Sequence, residues 1–251
     1  MTPKEFVCLQ NQKAEKDDLF DHKGQVDDFR FDEQVTRVFP NMIGRSVPGY
    51  WQIVDGIGLL ATQFVQPNTI VYDLGTSLGA VAWSVFQQTN RPVIAVDVSE
   101  AMISQFKKNL QSLEAPVAIK PVLADITEYQ LQSPVSFCSL NFTLQFIPIH
   151  KRKLLLEKIY TSLMPKGALI LSEKLHFSNT EEESRLRIWH HDWKHQQGYS
   201  RQEIEQKAKS ISKIMPTETL DNHVQRLRNV GFRHITIWCQ AYSFVSLVAE
   251  K

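Results

Sequence analysis

From residue 69 onward the chain alternates short, continuous apolar runs with longer amphipathic stretches. TIVYDLG (69–75), PVIAVDVS (92–99), VAIKPVLADI (117–126), PVSFCSLNFTL (134–144) and ALILSEKL (168–175) have the length and content of buried strands. Between them, SLGAVAWSVFQQT, EAMISQFKKNLQSL and HKRKLLLEKIYTSLM carry apolar residues three and four apart and predict helices, the last ended by Pro165 and Gly167. Strand–helix repetition of this kind builds a parallel sheet with helices on both faces, and the right-handed crossover rule fixes how each helix returns.

The flanks behave differently. FDEQVTRVF predicts a short helix stopped by Pro40, and a second helix starts near Pro48. The first thirty residues are polar, of mixed charge and weakly periodic, and predict a loosely held arm. Past the fifth strand, two polar helical segments at about 179–197 and 200–214 interrupt the alternation, and ETLDNHVQRLRNVG predicts a helix ending at Gly231. HITIWCQAY and SFVSLVAEK then close the chain with almost nothing between them, so they must pair antiparallel. The expected architecture is α/β: a doubly wound, Rossmann-like sheet of strand order 3-2-1-4-5-7-6 with an antiparallel C-terminal hairpin and a helical insertion. That is the plan of class I S-adenosylmethionine (SAM) methyltransferases, with residues 31–251 as one domain and 1–30 as an N-terminal arm.

Composition narrows the ligand. A chain of 251 residues, 43% hydrophobic and 22% charged, suffices for one large domain with a full core. Its 28 basic and 27 acidic side chains leave a formal charge of +1, which exerts no general pull on nucleic acid or anionic membrane. A small, locally recognised ligand fits that balance, and no direct nucleic-acid contact is expected. Cys8, Cys138 and Cys239 are isolated, so neither a disulfide framework nor a zinc motif is predicted. No segment has the length of a signal peptide core or a bilayer span, which points to the cytoplasm.

Gly75-Thr76-Ser77-Leu78-Gly79 spells G-x-S-x-G, the nucleophile elbow of α/β-hydrolases. No HGGG-like loop precedes it to build an oxyanion hole, although later histidines exist. The nucleoside reading has more support. Asp97 lies at the carboxyl end of the second strand, 22 residues after Gly75, where an acid can accept both ribose hydroxyls. The loop lacks the full set of glycines that lets a backbone approach a pyrophosphate, which favours SAM over a dinucleotide. Asp125, with Ile126, ends strand three and can meet an adenine; Asn141 ends strand four at the switch-point crevice. Each acid alone could be a helix cap; four strand ends in succession suggest one ligand. Ser77 then becomes a small helix-opening residue facing the amino-acid end of SAM.

Several longer stretches resemble carboxy-SAM synthases: FDEQVTRVFPNMIGRSVPGY, FVQPNTIVYDLGTSLGA, LNFTLQF, KIYTSLMPKGALILSEK, HHDWKHQQGYS and LRNVGF. The resemblance covers about residues 31–250. It implies a homodimer that converts SAM and prephenate into carboxy-SAM and phenylpyruvate, the product feeding 5-oxyacetylation of a tRNA wobble uridine by a partner enzyme. The implied logic is that a sulfonium stabilises an adjacent carbanion, which captures carbon dioxide from prephenate inside a closed pocket. The implied SAM contacts are Tyr50, Gly75, Thr76, Ser77, Asp97, Val98, Asp125, Ile126 and Asn141. Thr76 stands where cysteine is usual and Val98 where a polar residue is usual.

A further departure is larger. The family's arginine for the new carboxylate, contributed across the dimer, is replaced by Ala208 in Gln206-Lys207-Ala208-Lys209. A guanidinium grips a carboxylate through two parallel hydrogen bonds and a methyl group offers none. Lys207, Lys209, Arg201 and Arg45 are the candidate substitutes, Arg45 equally readable as a structural cation. Three readings stay open: carboxy-SAM synthesis with a substitute cation, SAM-dependent methyl transfer to a small molecule that releases S-adenosylhomocysteine, and a non-catalytic SAM-binding partner protein. His191 and His195, four apart, mimic a zincin pair without a third ligand, so no metal is expected; Trp189 and Trp193 predict packing of the insertion or a dimer seam. Lys151, Arg152 and Lys153 predict a solvated basic face, while Glu173 and Lys174 are expected to line the crevice.

Overall fold

The computed structural model describes residues 1–9, 15–20, 29–114 and 117–251. The strands are β1 (Ile70–Leu74), β2 (Val93–Asp97), β3 (Ile119–Leu123), β4 (Val135–Asn141), β5 (Leu163–Lys174), β6 (His234–Ala241) and β7 (Phe244–Glu250). They form a seven-stranded sheet of order β3-β2-β1-β4-β5-β7-β6. Strands β1 to β5 are parallel, and β7 runs antiparallel between β5 and β6, pairing Leu171 with Leu247 and Ala241 with Phe244. The expected doubly wound class I architecture is the one found. Two residues, Tyr242 and Ser243, are all that joins β6 to β7, and Tyr242 takes φ +49 to make the turn.

Helices cover both faces. On the chain they are α1 (Pro3–Val7), α2 (Glu33–Gly44), α3 (Tyr50–Phe64), α4 (Ala80–Thr89), α5 (Glu100–Gln111), α6 (Ile149–Ser162), α7 (Thr180–Gln196), α8 (Arg201–Ser212) and α9 (Leu220–Val230). Side chains alternate faces along a strand, and this sorts the core into two layers. Val71, Ala95 and Phe137 pack under α3, α4 and α5, while Tyr72, Leu74, Cys138 and Leu140 pack with Leu155, Leu156 and Ile159 of α6 on the other face.

Several boundaries differ from expectation. Pro40 does not stop α2; the helix continues to Gly44 because the proline ring is buried, so packing offsets the one missing N–H rung. Helix α6 ends at Ser162, and Pro165 and Gly167 belong to β5, whose pairing with β4 is irregular where Lys166 takes φ +64. Of the basic trio opening α6, Lys151 and Lys153 do face solvent, but Arg152 does not: it is fully buried. It donates to the carbonyls of Ile147 at 2.9 Å, Gln145 at 3.1 Å and Pro216 at 2.7 Å, and pairs with Glu218 at 2.5 Å. Every arm of that guanidinium has an acceptor, the condition under which a buried charge is tolerated.

The loosely held arm is also corrected, for the residues described. Phe6 of α1 is buried and stacks on Trp83 of α4 with ring centroids 4.6 Å apart. Burial of a phenylalanine contributes roughly 1.5–3 kcal/mol, enough to seat one helical turn. Asp17 and Phe29 are buried as well. The remainder of that expectation, residues 10–14 and 21–28, lies outside the described residues.

Candidate functional site

The site begins where β1 ends. Gly75 takes φ +77, Ser77 φ +52 and Gly79 φ +84, so the chain turns sharply and α4 opens at Ala80, three residues past Ser77. Ser77 therefore sits inside the turn instead of opening the helix. A side chain at Gly75 would meet Thr143 Cγ2 at 2.2 Å, so both φ and space require glycine there. The backbone N–H groups of Gly75 and Thr76 donate to the Val96 carbonyl at 2.8 and 3.0 Å, tying the turn to β2. Beneath it, buried Asp73 accepts from Thr76 Oγ1 at 2.6 Å, Ser139 Oγ at 2.7 Å and the Ala82 N–H at 3.2 Å. Burial still pushes its pKa up to about 6, against the pull of those hydrogen bonds.

The hydrolase alternative fails on geometry. Ser77 Oγ donates to the sulfur of Met102 at 3.3 Å, so the hydroxyl is turned to a thioether rather than to a histidine base. Its backbone N–H donates to Asp97 Oδ2 at 2.8 Å, and the Ser99 N–H donates to Asp97 Oδ1 at 2.9 Å. Each carboxylate oxygen thus keeps acceptor capacity for a ligand. Burial raises the Asp97 pKa, and the two N–H donors oppose that rise. Val98 beside it is 71% exposed. At the tip of β3, Asp125 accepts from the Thr127 N–H at 2.7 Å and Ile126 is buried. At the tip of β4, Asn141 Oδ1 is buried and has no hydrogen-bond partner among the described residues. Tyr50 opens α3 with its ring edge-on to Trp51, and burial raises its phenol well above the usual range.

All nine of these sequence-predicted residues line one cavity of about 500 Å³. The same cavity continues under α7 and α8, where its wall changes character. Phe29, Phe31, Phe142 and Phe244 are joined there by Lys174, Lys194 and Lys207. Ala208 lines it too, from its own chain.

The four candidate substitute cations divide. Arg45 donates to the Gln197 carbonyl at 2.8 Å and to Asn41 Oδ1 at 3.1 Å, and its guanidinium lies 3.8 Å over the Tyr199 ring; it clamps the insertion and does not line the cavity. Arg201 pairs with Asp192 at 3.0 Å on the surface, and Lys209 is exposed on the far side of α8. Only Lys207 reaches the cavity, and it is engaged: it pairs with Asp17 at 3.1 Å and donates to Ser46 Oγ at 3.0 Å and Tyr199 Oη at 3.2 Å. Tyr199 in turn donates a very short bond to the same Asp17 oxygen.

Of the pair at the end of β5, Lys174 lines the cavity as expected and Glu173 does not. Successive strand residues face opposite sides, so Glu173 points into the other layer. It accepts from the Gln145 N–H at 3.2 Å, lies 3.8 Å from His223, and is pushed up to about pKa 8 by burial. Sequence reasoning missed Lys194, His190 and Phe29. Lys194 lay in the quoted HHDWKH segment, but the polar periodicity of α7 gives no sign of which face is covered.

Residues 71–167 match the methyltransferase domain family. Solved structures similar in fold include human N-acetylserotonin methyltransferase in complex with SAM, at 17% identity and TM-score 0.59, covering 87% of this chain and 55% of that one. Magnesium protoporphyrin IX methyltransferase from Synechocystis with bound S-adenosylhomocysteine matches at 15% identity and TM-score 0.55, covering 92% and 90%. In sequence, the carboxy-S-adenosyl-L-methionine synthase of Pseudoalteromonas translucida is 44% identical over 239 residues, 94% of this chain and 99% of that protein. The Citrobacter koseri enzyme of the same name is 45% identical over 242 residues, 95% of this chain and 98% of that protein. At that identity over almost the whole length of both partners, the chain belongs to the carboxy-SAM synthase family of SAM-dependent transferases.

Proposed function

We propose that this protein makes carboxy-SAM from SAM and prephenate, with SAM lying across the four strand tips and the organic acid held under α7 and α8. The observation that carries the reading is one shared cavity: nine predicted contacts line it, among them a buried amide oxygen, Asn141 Oδ1, with no donor among the described residues. An orphaned buried acceptor costs roughly 1–3 kcal/mol unless a ligand donates to it. The ammonium of a bound amino acid is such a donor.

On this reading Asp97 accepts from the ribose hydroxyls, Asp125 with the backbone at Ile126 receives the adenine, and Val98 covers it. Gly75, Thr76, Ser77 and Asn141 hold the methionine end, with Tyr50 closing over it. Asp73 stands beneath the turn as a buried negative counterpart to a cationic ligand. Bound there, SAM would supply a sulfonium that acidifies its methyl group: prephenate loses carbon dioxide and hydroxide as it becomes phenylpyruvate, the hydroxide leaves with the methyl proton as water, and the methyl carbon takes up the carbon dioxide. The chain's part is to exclude water and hold both reactants close, which its aromatic wall and enclosed floor suit.

Incubation with SAM and prephenate, followed by mass spectrometry, tests this. Carboxy-SAM and phenylpyruvate in equal amounts are expected; unchanged SAM would sink the reading. Ala208 favours one second reading, methyl transfer to a small molecule, because no guanidinium at that position selects a carboxylated product; S-adenosylhomocysteine with a methylated acceptor is its signature. The wider setting belongs to the same proposal: a cytoplasmic homodimer whose product feeds tRNA wobble-uridine modification. The half-exposed Ile188 and Trp189 of α7 are apolar surface that a second copy would cover, and no described helix is long and apolar enough to cross a membrane.

A further inference from the structure

Three lysines line the distal half of the cavity, and their circumstances differ. Lys207 has each of its three N–H donors spent, on Asp17, Ser46 and Tyr199. Lys194 is only 6% exposed and, among the described residues, has no carboxylate within ion-pair distance and no hydrogen bond from its ammonium. Its Nζ lies 5.4 Å from the centroid of the Tyr199 ring. Lys174 is similar: it is half-buried, its ammonium lies 5.9 Å from the centroid of the Phe244 ring, and the Glu183 carboxylate acts on it from beyond ion-pair distance. An ammonium held away from water without a hydrogen-bonding or ionic partner is costly. Burial, together with Lys207 and Lys174, holds its pKa down to about 7. An unpaired cation facing a cavity has the chemistry of an anion receptor awaiting its anion.

We propose that Lys194, seconded by Lys174, forms the carboxylate subsite of this cavity, doing from α7 what a guanidinium on α8 at Ala208 would do. The subsite takes a small organic acid with an apolar ring or chain, whose apolar part packs on Phe244, Ile211 and Met215. It rests on the reading that SAM and an organic acid share this cavity. It replaces Lys207, Lys209, Arg201 and Arg45 in the role of substitute anchor. Lys207 serves as a structural partner of Asp17, and the other three lie away from the cavity.

The test separates binding from turnover. Titration calorimetry on the SAM-loaded protein measures affinity for phenylpyruvate and for prephenate. Lys194→Met is expected to weaken both acids by tenfold or more while SAM affinity stays within twofold; Lys194→Arg should retain most of the binding, and Lys209→Met all of it. Lys174→Met should weaken binding less, about threefold. Adding Ala208→Arg to Lys194→Met should restore acid affinity, because a guanidinium there faces the same cavity. Thermal melts in SAM check that each variant is folded, and removal of a buried unpaired charge should leave the melting temperature equal or higher.

Unchanged acid affinity in Lys194→Met, or no acid binding by the wild type, overturns the subsite. Acid binding that depends on Lys194 in a wild type forming no carboxy-SAM keeps the subsite and discards the proposed reaction.

Discussion

The two halves of the cavity are built by different means. The strand-tip half is made of backbone: a glycine turn, N–H groups tied to Val96, and carboxylates that brace neighbouring turns, such as Asp73 with Thr76 and Asp97 with Ser77. The half under α7 and α8 is made of side chains from distant stretches. Asp17 meets Lys207 across 190 residues of sequence, Ser46 meets His190 across 144, and Arg45 meets Gln197 across 152. The first half changes only if the turn itself changes. The second can exchange one cation for another and leave the SAM wall untouched, which is how Ala208 can stand in a chain that has Gly75, Asp97, Asp125 and Asn141 at its strand tips.

The sharpest way to break the comparison is to cut the distal half where it is densest. Asp17→Ala leaves Lys207 buried and without its charge partner, and removal of one member of a buried pair costs roughly 3–5 kcal/mol. The Asp17→Ala/Lys207→Met double variant should lose less than the sum of the two single changes, with a coupling above about 1 kcal/mol in urea melts. Additive losses would show that the pair is not coupled. SAM affinity should follow neither variant. Next in size is the opposite cut. Gly75→Ala places a methyl group 2.2 Å from Thr143 Cγ2 at φ +77, so SAM affinity should fall about a hundredfold, an effect of roughly 2.7 kcal/mol. Acid binding to Lys194, measured without SAM, should persist in that variant.

How much of this could be read from residues follows the same division. The strand order, the antiparallel hairpin and the convergence of Gly75, Ser77, Asp97, Asp125 and Asn141 on one cavity were legible because they depend on period-two runs, on turn chemistry and on the rule that ligands meet carboxyl ends of parallel strands, whereas Tyr50, Thr76, Val98 and Ile126 were singled out by the family resemblance alone. The extent of α2 was not, because a buried Pro40 is compensated by tertiary packing that local propensity does not contain. Arg152 was misread for the same reason: its four acceptors come from the loop before α6 and from residues 216 and 218, and nothing local announces them. Lys207 and Lys194 look alike in sequence. They separate only when Asp17, from a segment with no periodicity, is seen to sit on one and not on the other.

A smaller effect distinguishes a ligand acceptor from a structural one. Asn141→Ala removes an oxygen that has no partner among the described residues, so the unliganded protein should keep its stability or gain about a few tenths of a kcal/mol. SAM affinity should nonetheless drop about tenfold, the cost of one lost charge-assisted hydrogen bond. A loss of stability in the absence of SAM would mean that Asn141 holds the strand tip together instead.

The gentlest probe is a pH series above 7, where Lys194 of the distal half titrates while Asp73, pushed up to about 6, is already ionised. Lys194 ionises near pH 7 in the fold against 10.5 for an ordinary lysine, pushed down first by burial and then by Lys207 and Lys174, with Arg45 adding to the push and Asp17 opposing it. His191, on the same helix α7, has its own pKa lowered first by burial and then by the Lys194 ammonium. Because the folded pKa lies below the unfolded one, the folded chain binds fewer protons between these values, and this group's contribution to stability grows from pH 7 towards 10.5. Acid binding runs the other way. A carboxylate on Lys194 keeps the proton on, so affinity should be level below pH 7 and fall by up to about tenfold per unit above it. In Lys194→Met both slopes should flatten relative to the wild type, while SAM affinity in the same range keeps its own profile. A variant that retains the alkaline fall in acid affinity would move the titrating group to Lys174 and leave Lys194 as a spectator.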